Sequence, residues 1–65
     1  MTAQELQRLA TVQALRADEA NRQAAHAAHS TDRQWYRELA DIADYRYRQY
    51  HTAAAQQARR AQATW

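Results

Sequence analysis

Apolar residues recur every three to four positions along two segments of this chain. The first repeat runs from Ala3 to Ala27, and the second runs from Tyr36 to Trp65. Such a spacing places side chains on one face of an α-helix. Since no window alternates with the period of two that is typical of a strand, the pattern predicts an all-α protein.

Two polar pairs indicate where the helices begin. Thr2 is followed three residues later by Glu5, and Thr31 is followed by Gln34. In a capping box, the first side chain accepts from an amide of the first turn, and the second side chain reaches back to the start of the helix. We therefore expect one helix to begin after Thr2 and another after Thr31.

These signals divide one domain, residues 1–65, into a helix over about 3–29, a turn at about 30–31 and a helix over about 32–63. The turn contains no glycine, so one uninterrupted helix is the alternative. At 100° per residue, however, the second apolar stripe is rotated by roughly a quarter turn from the continuation of the first. A straight helix would have no single face to bury, and the phase favours an antiparallel two-helix hairpin.

Chain reversal at this point brings large side chains opposite small ones. Residue i lies beside about residue 61 minus i, which places Tyr47 near Ala14 and Tyr50 near Ala10. Alternating large and small residues are typical of interdigitating helices. The side chains that we expect to form the buried seam are Leu6, Leu9, Tyr36, Leu39, Tyr47 and Tyr50.

The composition makes this seam thin. Seventeen of the 65 residues are alanine, and the absence of cysteine excludes both disulfides and thiolate metal sites. A chain this short buries only about 60% of its unfolded surface. Two helices alone also leave much of each apolar stripe in water, so we expect a homodimer or a helical protein partner to complete a four-helix bundle.

Three apolar residues of the first helix suggest where such a partner binds. Val12 and Leu15 rotate away from Leu9 toward the face that should be in water. Isolated exposed apolar residues are ordinary, but together these three predict an outer contact. The full predicted protein interface consists of Leu9, Val12, Leu15, Tyr36, Leu39, Tyr47 and Tyr50.

Catalysis and cofactor binding have little support in the sequence. Phosphate-binding loops need glycine, and this chain has none. Ser30 is the only serine, and a two-helix hairpin offers no obvious cleft in which acid and base groups are desolvated. We therefore expect no enzyme activity, no cofactor and no small-molecule substrate.

The histidines give a weak metal signal. His26 and His29 are three residues apart, and Asp32 follows them. This spacing suits a divalent metal, but both histidines lie opposite the apolar stripe. We interpret them as solvated side chains near a helix C-terminus and predict no metal site.

The C-terminal third is basic and supports an alternative function. All nine basic residues are arginine, and from residue 45 onward there are four of them and no acid, although the net charge is only +2. Arginine can bind phosphates, and tyrosine can stack on bases. The simpler interpretation is that the tyrosines belong to the core and the arginines are solvated, with Asp44 and Arg48 forming an i,i+4 pair. An RNA- or DNA-binding regulator would use Tyr45, Arg46, Arg48, Arg59 and Arg60.

The hydropathy pattern bears on location. The mean hydropathy is −0.99 and no apolar run approaches 20 residues, which excludes a membrane span. Glu5 and Arg8 interrupt any signal-peptide core. We expect a cytoplasmic protein with no membrane contact.

Two short motifs make the chain similar to a known family. They are Met1-Thr2-x-Gln4-Glu5 at the start and Leu39-x-Asp41-x-Ala43-Asp44-x-x-Tyr47-Arg48 in the second helix. With the chain length and the place of the turn, they resemble the Rop (repressor of primer) family of plasmid copy-control proteins. The resemblance implies a helical hairpin that dimerises into a four-helix bundle and, in that family, binds paired RNA loops.

The resemblance does not extend to the RNA-binding face of that family. There the first helix carries lysine, asparagine, phenylalanine and glutamine. The matching positions in this chain are Ala3, Ala10, Ala14, Asp18 and Ala25. The resemblance therefore implies the architecture and not the RNA activity.

The chain is also similar in size and in its Met-Thr start to the small helical-hairpin co-chaperones of type III secretion. In that case the implied partner is a set of foreign helices. We therefore expect a small non-enzymatic interaction or assembly module, acting as a regulator or adaptor through its helical surfaces.

Overall fold

The computed structural model describes residues 1–63 and consists of two α-helices, α1 (Ala3–His26) and α2 (Ser30–Ala63). The two helices pack against each other, which confirms the all-α helical hairpin. Neither helix in the described part is long and apolar enough to cross a membrane. Trp65, at the end of the predicted second stripe, lies outside the described residues.

The first predicted helix start is confirmed. The Glu5 amide donates to Thr2 Oγ1 at 3.1 Å, and the Thr2 hydroxyl in turn donates to Glu5 Oε1 at 3.1 Å. Thr2 has extended backbone angles, and its carbonyl accepts from the Leu6 amide. The Thr2 side chain thus satisfies the Glu5 amide, one of those that the first turn of a helix leaves without partners. The Glu5 carboxylate accepts from the Thr2 hydroxyl instead of the Thr2 amide, so the predicted reciprocal capping box forms only in part.

The turn begins earlier than the sequence predicts. Helix α1 ends at His26 instead of residue 29, because Ala27 leaves the helix at φ −70° and ψ 129°. The Ala27 amide still donates to the Ala24 carbonyl, at 3.4 Å. No residue with positive φ occurs within residues 1–63, so this reversal requires no glycine.

The second predicted helix start is wrong. Helix α2 begins at Ser30, and the His29 carbonyl accepts from the Arg33 amide at 3.1 Å. Thr31 therefore lies inside the first turn and does not cap it. The Gln34 side chain donates forward to Glu38 at 3.5 Å instead of reaching back.

The antiparallel register agrees with the predicted rule. Thr2 and Ala3 line the same surface depression as Ala58 at the far end of α2. Closer to the turn, Ala14 and Tyr47, a pair that the rule predicts, line one groove. The Cα atoms extend over 56 × 14 × 13 Å, whereas one continuous helix over residues 3–63 would be about 90 Å long at 1.5 Å per residue.

The core is made of alanine. The buried residues are Ala10, Gln13, Ala20, Ala24, Ala40, Ala43 and Ala54. Within residues 1–63 no large side chain is fully buried. Small side chains let the two helix axes approach closely, and this displaces the larger side chains to the edges of the contact.

The predicted seam is therefore corrected. Leu39 is 38% exposed and does not belong to the buried core. The other five predicted seam residues are only half-buried; they are Leu6, Leu9, Tyr36, Tyr47 and Tyr50. A side chain at the edge of a two-helix contact has protein on one flank and water on the other.

Candidate protein interface

An open groove of about 380 Å³ runs between α1 and α2 on one side of the hairpin, which we call the groove side. Alanines of both helices form its floor, and larger side chains form its walls. The residues that matter most for its chemistry are Arg16, Ala20, Leu39, Ile42, Ala43 and Arg46.

The groove side follows from helical geometry. Leu39 directly precedes the buried Ala40, and Ile42 directly precedes the buried Ala43. A preceding residue lies about 100° around the helix from its neighbour. In an antiparallel pair, the residues that directly precede contact residues lie on the same side of both helices. Arg16, which precedes Ala17 on α1, therefore lies on the groove side with Leu39 and Ile42 of α2.

The α2 wall of the groove carries solvent-accessible apolar side chains, whereas the α1 wall is polar. Ile42 is 49% exposed although it adjoins the core. Trp35 precedes Tyr36 and extends the same side toward the turn, where the two rings meet edge to face with centroids 5.0 Å apart. Contiguous exposed apolar side chains of this kind mark interaction surfaces more often than isolated ones do.

The groove side carries unbalanced positive charge. Arg16 and Arg46 lie on opposite walls, and neither forms an ion pair within residues 1–63. Glu19 also lines the groove, but its carboxylate binds Arg22 at 3.1 Å and accepts from Gln23 Nε2 at 3.0 Å. The two arginines therefore have no local counter-charge that is free to pair with them.

Gln13 is the one polar residue of the alanine core in the described part of the chain. It is 6% exposed and lines the groove, and its Oε1 atom is buried without a hydrogen-bond partner. A buried polar atom without a partner costs about 1–3 kcal/mol. The hairpin thus retains a destabilising group next to its candidate interface.

The opposite side of the hairpin, which we call the acidic side, has the reverse charge. Asp18, Asp41 and Asp44 line a second groove there, also about 380 Å³ in volume. These aspartates directly follow Ala17, Ala40 and Ala43, which lie at the contact between the helices. The groove-side residues directly precede such contact residues. Asp44 binds Arg48 at 2.9 Å, which confirms the predicted i,i+4 pair.

The three residues of the predicted outer contact on α1 border two different surface depressions. Leu9 and Val12 line a shallow depression together with Met1. Leu15 is 61% exposed and borders a different depression beside Ala25. Leu9 and Val12 lie nearer the groove side, whereas Leu15 points outward from the hairpin.

The remaining predicted interface residues are divided between the two sides. Tyr36 and Leu39 line the groove, while Tyr47 lines the acidic side. Tyr47 also stacks on His51 with ring centroids 5.6 Å apart. Tyr50 is half-buried at the contact between the helices.

The residues of the nucleic-acid alternative are all exposed but do not share one surface. Arg46 lines the groove, Arg48 is paired with Asp44, and Arg60 lies near the start of α1. Arg59 is exposed, and Tyr45 is 64% exposed on the outside of α2. The structure therefore spreads this predicted set around the helix.

The histidines near the turn have a structural place. Helix α1 ends at His26, and the His29 backbone carbonyl accepts a hydrogen bond from the Arg33 amide in the first turn of α2. Both side chains are exposed. No cluster of three or more metal-ligating side chains occurs among the described residues.

Sequence reasoning missed the contributions of Arg16, Ile42 and Gln13 to this surface. A usable signal was present: the residues that precede the buried Ala40 and Ala43 of α2 are apolar, and those that follow them are aspartates. In an antiparallel hairpin, the residue before each contact residue lies on the groove side and the residue after it lies on the acidic side. The sequence neighbours of the contact residues therefore predict the chemistry of both sides.

Comparison with protein-family models, curated proteins and solved structures finds no match for this chain. The resemblance to the Rop family stays a prediction about architecture. The functional argument therefore depends on the geometry of the two sides.

Proposed function

We propose that this hairpin is a non-enzymatic, cytoplasmic protein-association module whose groove side packs against an α-helix of another chain. The observation that carries the proposal is the exposure of Leu39 and Ile42 directly beside an alanine floor. An adaptor or regulator of this kind acts by holding partners together.

The shape of the groove suits a helix. Ala20 and Ala43 keep the floor low, so a third helix can approach both helices at the 8–10 Å axis distance of ordinary helix packing. Such a helix would cover Leu39 and Ile42, and each square ångström of apolar surface removed from water contributes about 25 cal/mol. A pair of helices from the partner would complete the four-helix bundle that the Rop resemblance implies. The secretion co-chaperone likeness implies a hairpin that is completed by foreign helices.

Removing one groove side chain should weaken this association. In Ile42→Ser, binding of a synthetic amphipathic helix with leucine on one face and glutamate on its flanks should weaken about tenfold, a loss of about 1.4 kcal/mol. Amide chemical shifts in dilute labelled protein give both the affinity and the location of the peptide.

Leu15→Ser is the matched control, because Leu15 is even more exposed and lies outside the groove. This variant should bind the peptide as the unchanged chain does. If the peptide shifts no amides near Leu39 and Ala43, or if the Ile42 variant binds normally, the proposal is wrong.

Nucleic-acid binding is the second candidate, and the exposed Tyr45, which directly precedes Arg46, favours it. Such binding would weaken steeply as salt rises, by about one counterion-release increment for each arginine that contacts a phosphate. Apolar association in the groove tolerates salt. We prefer the groove because it gathers its side chains on one surface.

A further inference from the structure

We propose that the helices that pack on the groove side belong to a second copy of this chain, which presents its acidic side, so that copies stack with unlike sides in contact. The inference rests on the proposed function, since it requires the groove to be an association surface. It adds the identity of the partner and the side of the partner that is used.

Charge complementarity between the two sides is the first argument. Arg16 and Arg46 on the groove side have no ion-pair partner within residues 1–63, and the same holds for Asp18 and Asp41 on the acidic side. A stack would supply each pair with the counter-charge that it lacks in the single hairpin.

The charges also lie at matching heights. Arg16 and Asp18 are the two neighbours of Ala17, so they lie within one turn of each other along α1 but on opposite sides. On α2, Arg46 lies about 7.5 Å along the helix axis from Asp41, also on the opposite side. A copy displaced sideways by one hairpin thickness therefore places carboxylates over the arginines.

Symmetric pairing is less favourable. Two groove sides that meet at the groove centre would bring the Arg16 and Arg46 pairs of both copies together, and two acidic sides would bring their aspartates together. Like charges in contact oppose association. Only the pairing of unlike sides is attractive in both charge and shape.

The surface is also large enough. The hairpin has 5327 Å² of accessible surface over a length of 56 Å, and the roughly 800 Å² per partner of a standard interface is about 15% of it. Leu39 and Ile42 of one copy would cover the small side chains of the next, among them Ala14 and Ala17. A contact between unlike sides does not close on itself by symmetry, so the stack grows with concentration.

Charge reversal tests the stack. Arg16→Glu with Arg46→Glu makes both sides acidic, and Asp18→Arg with Asp41→Arg makes both sides basic. Each double variant should remain monomeric by sedimentation equilibrium at concentrations at least tenfold above those at which the unchanged chain assembles. An equimolar mixture of the two should assemble again, because every contact then joins unlike charges.

Two controls complete the design. Arg8→Glu with Arg60→Glu changes the net charge as the groove-side pair does, at exposed positions that line neither the groove nor the acidic side, and should still assemble. Circular dichroism should report an unchanged helical hairpin in every variant, since all the substituted side chains are exposed.

The possible outcomes are distinct. A chain that is monomeric at all concentrations overturns the stack, whereas binding of the glutamate-flanked peptide to the groove would still support the proposed function. A mass that stops at the dimer, and that persists in the Asp18 and Asp41 variant, would show groove-to-groove pairing and also overturn the stack. A mixture that fails to assemble contradicts the charge argument directly.

Discussion

Replacing Tyr47 and Tyr50 together by serine is expected to unfold the hairpin. The described core consists of alanines and one glutamine, so the half-buried rings supply much of the apolar surface that the two helices remove from water. Truncating buried aromatic residues costs about 3–5 kcal/mol each. Half of that for each of the two rings sums to about 3–5 kcal/mol, which is comparable to the stability that a core of this size supplies. Circular dichroism with urea titration should show loss of helix without denaturant.

Tyr45→Ser is the control for this prediction. Tyr45 has the same side chain on the same helix but is 64% exposed, so its replacement should change the unfolding free energy by no more than about 0.5 kcal/mol. A double variant that unfolds at the same urea concentration as the unchanged chain would mean that the aromatic side chains do not hold the helices together.

Gln13→Met is expected to stabilise the hairpin by about 1–3 kcal/mol. Methionine has nearly the same shape and helix propensity as glutamine but no polar atom, so it removes the buried Oε1 that lacks a partner. In a domain of this size each kcal/mol raises the Tm by about 4–8 °C. Thermal unfolding followed by circular dichroism measures the shift.

Gln7→Met provides the comparison, because Gln7 is exposed on the same helix. Its replacement should leave the Tm nearly unchanged. A lower Tm for the Gln13 variant would show that the amide makes a hydrogen bond in solution that stabilises the fold.

Local signals made part of the fold predictable. The Thr2 cap and the Asp44–Arg48 pair depend on residues three or four apart, and the structure contains both. The turn was misplaced because Ala27-Ala28-His29 reverses the chain without glycine, proline or a positive φ. Alanine is the best helix former, so Ala27 and Ala28 give no sequence signal that the helix ends there.

The interface was only partly predictable for a different reason. Matching large residues against small ones found the register but assumed that Leu39 would be buried, whereas it lies at the edge of a contact between only two helices. Val12 and Leu15 were grouped by their place on α1 alone. The surface that gathers Arg16, Leu39 and Ile42 requires both helices, so it is defined only by the hairpin.

The most direct test of the account is the distance between spin labels at Gln7→Cys and Gln56→Cys, both exposed positions. The labelled chain should be diluted with unlabelled protein so that only distances within one molecule contribute. An antiparallel pair at ordinary helix spacing predicts a separation below about 25 Å. A separation near 74 Å, the length of about 49 residues of unbroken helix, would contradict the hairpin and with it both sides of the proposed interface.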